Sequence, residues 1–170
     1  MRPKIFSGFT DDPMQLIPKK YFVTSGKAVS DISSLNAFDR ALISAGIGEQ
    51  NLVAVSSVIP EGSEMTEPER IAMGAVTHCV ISQMRGKSEE MISAGIAYAY
   101  RADGKGGYVA EGHLHGSGRS LRTEIDRKIE EMSKTRNTAF GKTNFVIEEM
   151  HIPDGMYGCC VAALVFTEYR

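Results

Sequence analysis

Residues 52–59 read LVAVSSVI, and this segment is apolar on both alternating faces except at Ser56 and Ser57. Such a pattern is typical of a β-strand that is covered on both sides. A buried hydroxyl needs a hydrogen-bond partner, and a strained peptide bond beside a hydroxyl is a potential site of acyl shift. Two adjacent serines are nevertheless a weak signal, because Ser33 and Ser34 form the same dipeptide at a predicted helix start, where capping explains them. The segment therefore predicts a buried strand, and chemistry at its serines needs further evidence.

Further strand-like runs flank this segment and make sheet the larger component of the predicted fold. Several of them are separated by glycine or Pro-Asp-Gly turn signals. The runs are Tyr21–Thr24, Val76–Gln83, Ile92–Tyr100, Tyr108–His115, Phe145–His151 and Gly158–Thr167. The glycines at 104–107 predict a hairpin turn, since no Gly-Lys-Ser/Thr pattern opens a helix there.

The first of two predicted helices follows Ser34. Apolar residues recur at helical spacing from Leu35 onward, and Gly46 and Gly48 are expected to end the helix. A serine before such a segment is a common helix cap.

The second predicted helix lies within Arg119–Arg136, where apolar residues follow one face and the residues between them are mostly charged. Ser117 or Ser120 is expected to cap its start and Gly141 its end. Two helices and about six strands predict an α+β fold in which face-to-face β-sheets are flanked by helices, as an αββα sandwich in a single domain.

Composition and charge favour one soluble domain. The 170 residues, of which 42% are hydrophobic and 24% charged, suffice for one core over residues 1–170. Residues 1–13 are expected to form neither a signal peptide nor a membrane anchor, and the three cysteines cannot form a disulfide framework, so we expect a cytoplasmic protein. With 19 basic and 21 acidic residues the protein has no broad cationic surface, and neither nucleic acid nor membrane is an expected partner.

Residues 36–62 read NAFDRALISAGIGEQNLVAVSSVIPEG, and this segment resembles the processing site of pyruvoyl-dependent arginine decarboxylases. The match combines an Asn-Ala-Phe-Asp start, an Ala-Gly-Ile-Gly turn, an Asn-Leu pair and a Ser-Ser-x-x-Pro end, each at the family's spacing.

The resemblance extends over most of the sequence from Ser34 onward. It includes the MGAVTHCVIS run from Met73, the GGYVAEG segment near Glu111 and the C-terminal GCCVAALVF strand. The polar N-terminus, the turn at 101–107 and the HLH sequence at 113–115 depart from the family pattern. These departures concern the shapes of loops more than the chemistry.

The resemblance implies a proenzyme that cuts itself between Ser56 and Ser57 into residues 1–56 (the β fragment) and 57–170 (the α fragment). The Ser57 hydroxyl would attack the Ser56 carbonyl to form an ester, and β-elimination would convert Ser57 into a covalent pyruvoyl cofactor. The side-chain amide of Asn51 matches the family's asparagine and is expected to stabilise the oxyanion.

The same resemblance implies decarboxylation of L-arginine to agmatine and CO2 through a Schiff base between the pyruvoyl group and the substrate amine. Glu111 matches the catalytic glutamate that returns a proton to the substrate carbon. Asp39 matches the carboxylate that binds the guanidinium group. The resemblance further implies homotrimers, often paired as hexamers, with active sites at subunit boundaries, and a role in polyamine synthesis.

The residues alone leave other interpretations open. Asp39 is equally explained as a solvated helix residue, Asn51 as a turn residue and Glu111 as a strand residue that faces solvent. His113 and His115 alternate onto one strand face but lack a third ligand at convincing spacing, so no metal site is predicted. Two other hypotheses are an uncleaved, non-catalytic homologue that binds a cation, and a decarboxylase of another amino acid, since one carboxylate does not separate arginine from lysine.

Overall fold

Residues 15–170 are the part of the protein that the computed structural model describes, and they form nine strands and two helices. The strands are β1 (Pro18–Ser30), β2 (Asn51–Ala54), β3 (Val58–Ile59), β4 (Glu64–Met65), β5 (Val76–Lys87), β6 (Met91–Tyr100), β7 (Gly107–Leu114), β8 (Asn144–His151) and β9 (Tyr157–Tyr169). The helices are α1 (Ser34–Ser44) and α2 (Gly118–Thr135). The predictions made for residues 1–13 lie outside the described residues.

The larger sheet is built around the apolar C-terminal strand. Every residue of β9 from Gly158 to Thr167 is buried, because both faces of the strand and both of its edges are covered. The five strands lie in the order β2-β5-β9-β1-β4. β9 pairs antiparallel with β5 and β1, and the short strands β2 and β4 are added in parallel at the two edges. The sheet therefore has β2 as one of its edge strands.

The smaller sheet has four strands in the order β3-β7-β6-β8. Its central strand β6 is buried from Ile92 to Ala99, and the hairpin that joins β6 to β7 turns at Gly104 and Gly106, both with positive φ. This confirms the predicted hairpin turn. The short strand β3 is an edge strand and pairs with β7.

The two sheets face each other and a helix covers the outer side of each. Tyr21, Val80 and Leu164 of the larger sheet pack against Ile96 and Val109 of the smaller one. The outer face of the larger sheet carries α1 and that of the smaller sheet carries α2. This arrangement confirms the predicted α+β sandwich.

Serines begin both helices. The Ser33 hydroxyl accepts a hydrogen bond from the amide of Asn36, and the Ser117 hydroxyl accepts one from the amide of Ser120. The predicted cap at Ser117 is confirmed. The end predicted at Gly141 is wrong, because α2 ends at Thr135 with the following residue as its C-cap.

The prediction of one covered strand over residues 52–59 is wrong. β2 belongs to the larger sheet and β3 to the smaller one, and the backbone passes from one sheet to the other over Val55–Ser57. Both strands are edge strands, so the side chains of Val53 and Val58 are 41% and 50% exposed. The segment is apolar, as the sequence indicates. Among the described residues of one protomer, however, no further strand covers this segment.

Other features of the described residues differ little from the predictions. β1 is longer than the predicted run and extends from Pro18 to Ser30, because β9 pairs with it along its whole length. Cys79, Cys159 and Cys160 are free and buried, and burial raises their pKa values to about 11, about 11 and about 12. Neither described helix combines the length and apolar character that crossing a bilayer requires.

Candidate active site

Ser56 and Ser57 join the two sheets at an edge of the sandwich. On the side of the larger sheet, the amide of Val55 donates to the carbonyl oxygen of Cys79 at 3.0 Å. On the side of the smaller sheet, the amide of Val109 donates to the carbonyl oxygen of Ser57 at 3.0 Å. The peptide bond between the serines therefore lies between two anchored residues that belong to different sheets.

The Ser57 hydroxyl is in contact with Glu111. Its Oγ donates a hydrogen bond to Oε2 of Glu111 at 3.1 Å, although 54 positions separate the two residues. Strand β7 supplies Glu111, and the ammonium group of Lys128 on α2 donates to the backbone carbonyl of Glu111 at 3.1 Å. A carboxylate in this position can accept the hydroxyl proton when the serine oxygen acts as a nucleophile. Two of the predicted site residues are thus brought together.

A cavity of about 400 Å³ opens beside this pair, between β7 and α2. Ser57 and Glu111 form one wall, and the other is formed by Lys128 and Glu131 of α2 and by its C-cap residue Arg136. The volume falls within the range of small-molecule sites. The reactive side chain is therefore open to a ligand of the size of an amino acid.

The carbonyl group of Ser56 also has a hydrogen-bond donor in place. The amide of Val58 donates to the Ser56 oxygen at 2.9 Å. Attack of the Ser57 hydroxyl on this carbonyl would put negative charge on that oxygen, and a donor fixed beforehand stabilises such a charge. Sequence reasoning missed this donor because a backbone amide has no residue-type signal and only the local backbone conformation aims it.

Asn51 lies at the other end of β2 from the serines. Its side-chain amide donates to the carbonyl oxygen of Gly74 at 2.8 Å, and its backbone amide donates to Ala75. Asn51 precedes Val55 by four positions along the extended strand, and this spacing corresponds to about 13 Å. Within one protomer the structure does not bring this amide to the Ser56 carbonyl.

Asp39 lies on the exposed side of α1. It shares a helix face with Leu35 and Ile43, whose side chains are 64% and 55% exposed, while Ala37 and Ala41 on the opposite face are buried. Within residues 15–170, Asp39 has no side-chain hydrogen bond or salt bridge, and it is not brought to Ser57. An acidic residue between two exposed apolar residues is nevertheless unusual for a helix face that remains in water.

A second cavity, of about 250 Å³, lies on the Ser56 side of the same peptide bond. Its lining is mostly apolar and includes Val55, Val58 and Phe166 together with Ser56. His78 and Tyr169 also line it, and Nδ1 of His78 lies 2.8 Å from the Tyr169 hydroxyl. Sequence reasoning did not select this pair, because the two residues are 91 positions apart and neither belongs to a recognised motif.

His113 and His115 are exposed on the last part of β7 and just after it. His115 Nδ1 lies 3.7 Å from a carboxylate oxygen of Glu90. Among residues 15–170 no group of three or more metal-ligating side chains is found. The absence of a metal site stays a prediction.

The fold and the Ser57–Glu111 pair define an α+β sandwich protein with a candidate nucleophile where its two sheets join. The family model for pyruvoyl-dependent arginine decarboxylase matches residues 20–170. The chain belongs to this family.

Several curated relatives have the same family name. A pyruvoyl-dependent arginine decarboxylase from Methanopyrus kandleri is 33% identical over 150 residues, which cover 88% of this chain and 97% of the relative. One from Methanothermobacter thermautotrophicus is 30% identical over 90% of this chain and 99% of its own length. Pyruvoyl-dependent arginine decarboxylase 2 from Archaeoglobus fulgidus is 31% identical over 91% and 99%, respectively. The similarity thus extends over nearly the full length of these relatives.

Proposed function

We propose that this protein cuts itself between Ser56 and Ser57 and then decarboxylates L-arginine to agmatine and CO2. The observation that supports this most directly is the 3.1 Å hydrogen bond from the Ser57 hydroxyl to Glu111. This hydrogen bond joins a candidate nucleophile to a candidate proton acceptor. It lies at the serine pair, within the segment that resembles the family's processing site. Membership of the family, and the names of the relatives, support arginine as the substrate.

Self-cleavage starts with the Ser57 oxygen, which attacks the Ser56 carbonyl carbon while its proton passes to Glu111. The amide of Val58 stabilises the charge on the Ser56 oxygen. The C–N bond then breaks as the nitrogen of residue 57 takes the proton from Glu111, and an ester links the two residues. Loss of the Cα proton of residue 57 then expels the Ser56 carboxylate and leaves dehydroalanine. Hydrolysis of that group releases ammonia and produces the pyruvoyl group at position 57.

The two fragments that result would stay together. Residues 1–56 include β1, which pairs with β9 from Pro18–Tyr169 to Ser30–Tyr157 in the larger sheet. These ladder hydrogen bonds and the buried core do not depend on the bond that is cut. Cleavage is therefore compatible with an intact fold.

In the mature enzyme, the pyruvoyl group would supply an electron sink for the pair of electrons that CO2 leaves behind. Glu111 would donate a proton to the substrate carbon, from the position in which it contacts residue 57. Asp39 would bind the guanidinium group through a charge-assisted hydrogen bond. These two carboxylates thus have different tasks, one at the reacting carbon and one at the far end of the substrate.

Asp39 and Asn51 would act at Ser57 of a neighbouring subunit in a homotrimer or hexamer. Two observations support this. Neither residue contacts Ser57 within its own protomer, and both lie beside exposed apolar side chains. We define the α1–β2 apolar surface as Leu35, Ile43, Val53, Met73 and Val76, all of them large hydrophobic residues that are at least 41% exposed.

The members of this surface are neighbours in the fold. Ile43 and Met73 line the same cleft of about 230 Å³, and Val76 pairs with Asn51 in the β2–β5 ladder. Burying such a surface against another copy would remove apolar area from water and would also desolvate Asp39 and the β2 edge.

The first test is the intact mass of the purified protein under denaturing conditions. Self-processing predicts one fragment that ends at Ser56 and one that begins at residue 57, the latter lighter by one ammonia than hydrolysis alone would give. A single uncut polypeptide after long incubation would favour the uncleaved, cation-binding homologue. The cytoplasmic location and the role in polyamine synthesis stay predictions.

The second test concerns the substrate. Turnover of arginine, lysine, ornithine and histidine is compared with the processed protein, and CO2 release is the readout. Arginine should be preferred, because a planar guanidinium group can make a paired contact with a carboxylate whereas an ammonium group cannot. Equal or faster turnover of any competitor would contradict the assignment to arginine.

A further inference from the structure

We propose that His78, oriented by Tyr169, forms a binding site for the carboxylate that self-cleavage creates at Ser56. This inference rests on the proposed cleavage and deepens it. It concerns the fate of the new C-terminus of the β fragment, which the chemistry at Ser57 leaves behind.

The scissile peptide bond divides two cavities. Ser57 lines the one that contains Glu111, and Ser56 lines the other, where His78 and Tyr169 are the two titratable residues of the lining. When the bond breaks, residue 57 remains anchored to β7 through its own carbonyl oxygen, and the new carboxylate belongs to the second cavity. The two chain ends that the cut creates would therefore face separate cavities.

A donor in the second cavity would hold the new carboxylate in place. Before cleavage, the Ser56 carbonyl is neutral and accepts one hydrogen bond, from the amide of Val58. After cleavage, the same carbon carries two oxygens and a full negative charge, while much of the lining is apolar: Leu16, Pro18, Val55, Val58, Pro60 and Phe166. Ser56 is exposed, so water also reaches this position, and a donor on the protein would fix the place of the charge on the side that is lined by apolar groups.

His78 is placed to be this donor. It lies on β5 directly before Cys79, whose carbonyl oxygen holds the amide of Val55, so the ladder brings the histidine next to the residue that precedes Ser56. Cys79 packs on the side of α1, while Val80 packs between the sheets. Because side chains alternate along a strand, His78 faces the gap between the sheets, as Val80 does.

Tyr169 orients the imidazole ring of His78. Its hydroxyl lies 2.8 Å from Nδ1, and the two rings meet edge to face with centroids 5.6 Å apart. Burial raises the pKa of Tyr169, so the hydroxyl keeps its proton at neutral pH and can donate it to Nδ1. In the tautomer in which Tyr169 donates, and also in the protonated imidazole, Nε2 carries a proton and is a donor for an anion.

The proposed site also keeps the new Ser56 carboxylate apart from the charged groups around Ser57. The charged residue that follows Tyr169 is Arg170, and its guanidinium group donates to the backbone carbonyl of Glu61 rather than lining the cavity. Pairing with His78 would hold the Ser56 carboxylate in the cavity that Glu111 does not line. The proton donor and the substrate carboxylate would then not face an additional negative charge.

The test compares the processed protein with the uncleavable variant Ser57→Ala, both labelled with ¹³C at histidine Cε1. The protein has four histidines, so each titration curve can be followed by NMR and His78 assigned with the variant His78→Gln. An opposite charge within hydrogen-bonding distance favours the protonated imidazole, so the pKa of His78 should be higher in the processed protein by about one unit or more. His113, His115 and His151 are internal controls and should titrate alike in both proteins.

A second measurement observes the carboxylate itself. With ¹³C at the serine carbonyl carbons, processing should produce one carboxylate resonance that titrates together with His78, and that coupled step should disappear in His78→Gln and weaken in Tyr169→Phe. Fragment masses of the same samples establish that cleavage occurred. Cleaved protein in which His78 titrates as in Ser57→Ala would overturn this inference and leave the proposed function intact, whereas uncut wild-type protein would overturn both.

Discussion

The backbone oxygen of Ser57 accepts a hydrogen bond from the amide of Val109 at 3.0 Å. Val109 lies on β7, two residues before Glu111. Because the Ser57 hydroxyl also donates to Glu111, residue 57 contacts β7 at two points. The nucleophile is therefore held by a rigid strand of the smaller sheet, while the carbonyl that it attacks belongs to the residue that leads back to the larger sheet. This difference in anchoring supports the different roles that are proposed for the two serines.

The first prediction concerns that division of roles. Ser57→Ala should give an uncut, folded protein without decarboxylase activity, because no hydroxyl is present to attack Ser56. Ser56→Ala is the matched control and should still be cut, because only the backbone carbonyl of that residue takes part. Gel analysis and intact mass measure both outcomes, and cleavage of Ser57→Ala at the same bond would refute the mechanism.

Glu111→Gln should reduce decarboxylation by about 10²-fold or more, the usual contribution of a positioned proton donor. Self-cleavage should also slow, because a glutamine amide cannot take the hydroxyl proton, although its oxygen can still accept the hydrogen bond from Ser57. Turnover is therefore measured per pyruvoyl-containing fragment, as counted by mass. The control is Glu130→Gln on the exposed face of α2, which should behave as the wild type does.

Asn51→Ala should slow self-cleavage by about 10²-fold if the amide donates to the oxyanion at a neighbouring subunit. The change also removes the 2.8 Å hydrogen bond to Gly74, so some loss of stability is expected in any case. Two measurements separate these effects. The cleavage kinetics of Asn51→Ala report on the oxyanion. The free energy of unfolding of the uncut Ser57→Ala protein, measured with and without Asn51→Ala, reports on stability. Wild-type cleavage kinetics combined with lower stability would reduce Asn51 to a structural role.

Asp39→Asn should raise KM for arginine by about 10- to 100-fold, since a hydrogen bond to a charged group contributes about 1.5–3 kcal/mol. Self-cleavage should be unchanged, because no step of it uses the guanidinium-binding residue. Asp31→Asn, an exposed acidic residue just before α1, is the control and should leave KM unaltered. An unaltered KM in Asp39→Asn would remove Asp39 from the substrate site.

The last prediction tests the α1–β2 apolar surface. Leu35→Glu should shift the protein from an oligomer to a monomer, because it would place a charge inside the proposed contact. Light scattering coupled to size exclusion measures the mass, and Met91→Glu, on an exposed apolar position of the smaller sheet, is the control. If Leu35→Glu and the wild type have equal mass and equal turnover, the subunit contact must lie elsewhere.

Sequence alone determined the fold class and pointed to the serine pair. Helical spacing after Ser34, the capping serine before α2 and the apolar run within β9 are local or composition-based signals, and these elements formed where the patterns predicted them. The resemblance around residues 36–62 and near Glu111 indicated Ser57 and Glu111 before any geometry was known. These predictions could be made from the sequence because each depends on residues that are close together along the chain.

Tertiary structure alone decided what surrounds those residues. The apolar segment at 52–59 has the period of one strand, but its two halves pair with different partners, β5 and β7, and strand pairing over long sequence distances is not encoded in the local period. For the same reason the contact between Ser57 and Glu111 and the His78–Tyr169 pair appear only when strands distant in sequence pair, β3 with β7 and β5 with β9. The donor at Val58 depends instead on the local backbone conformation. The sequence identified the candidate residues, and the pairing of strands that are distant in sequence determined which of them meet.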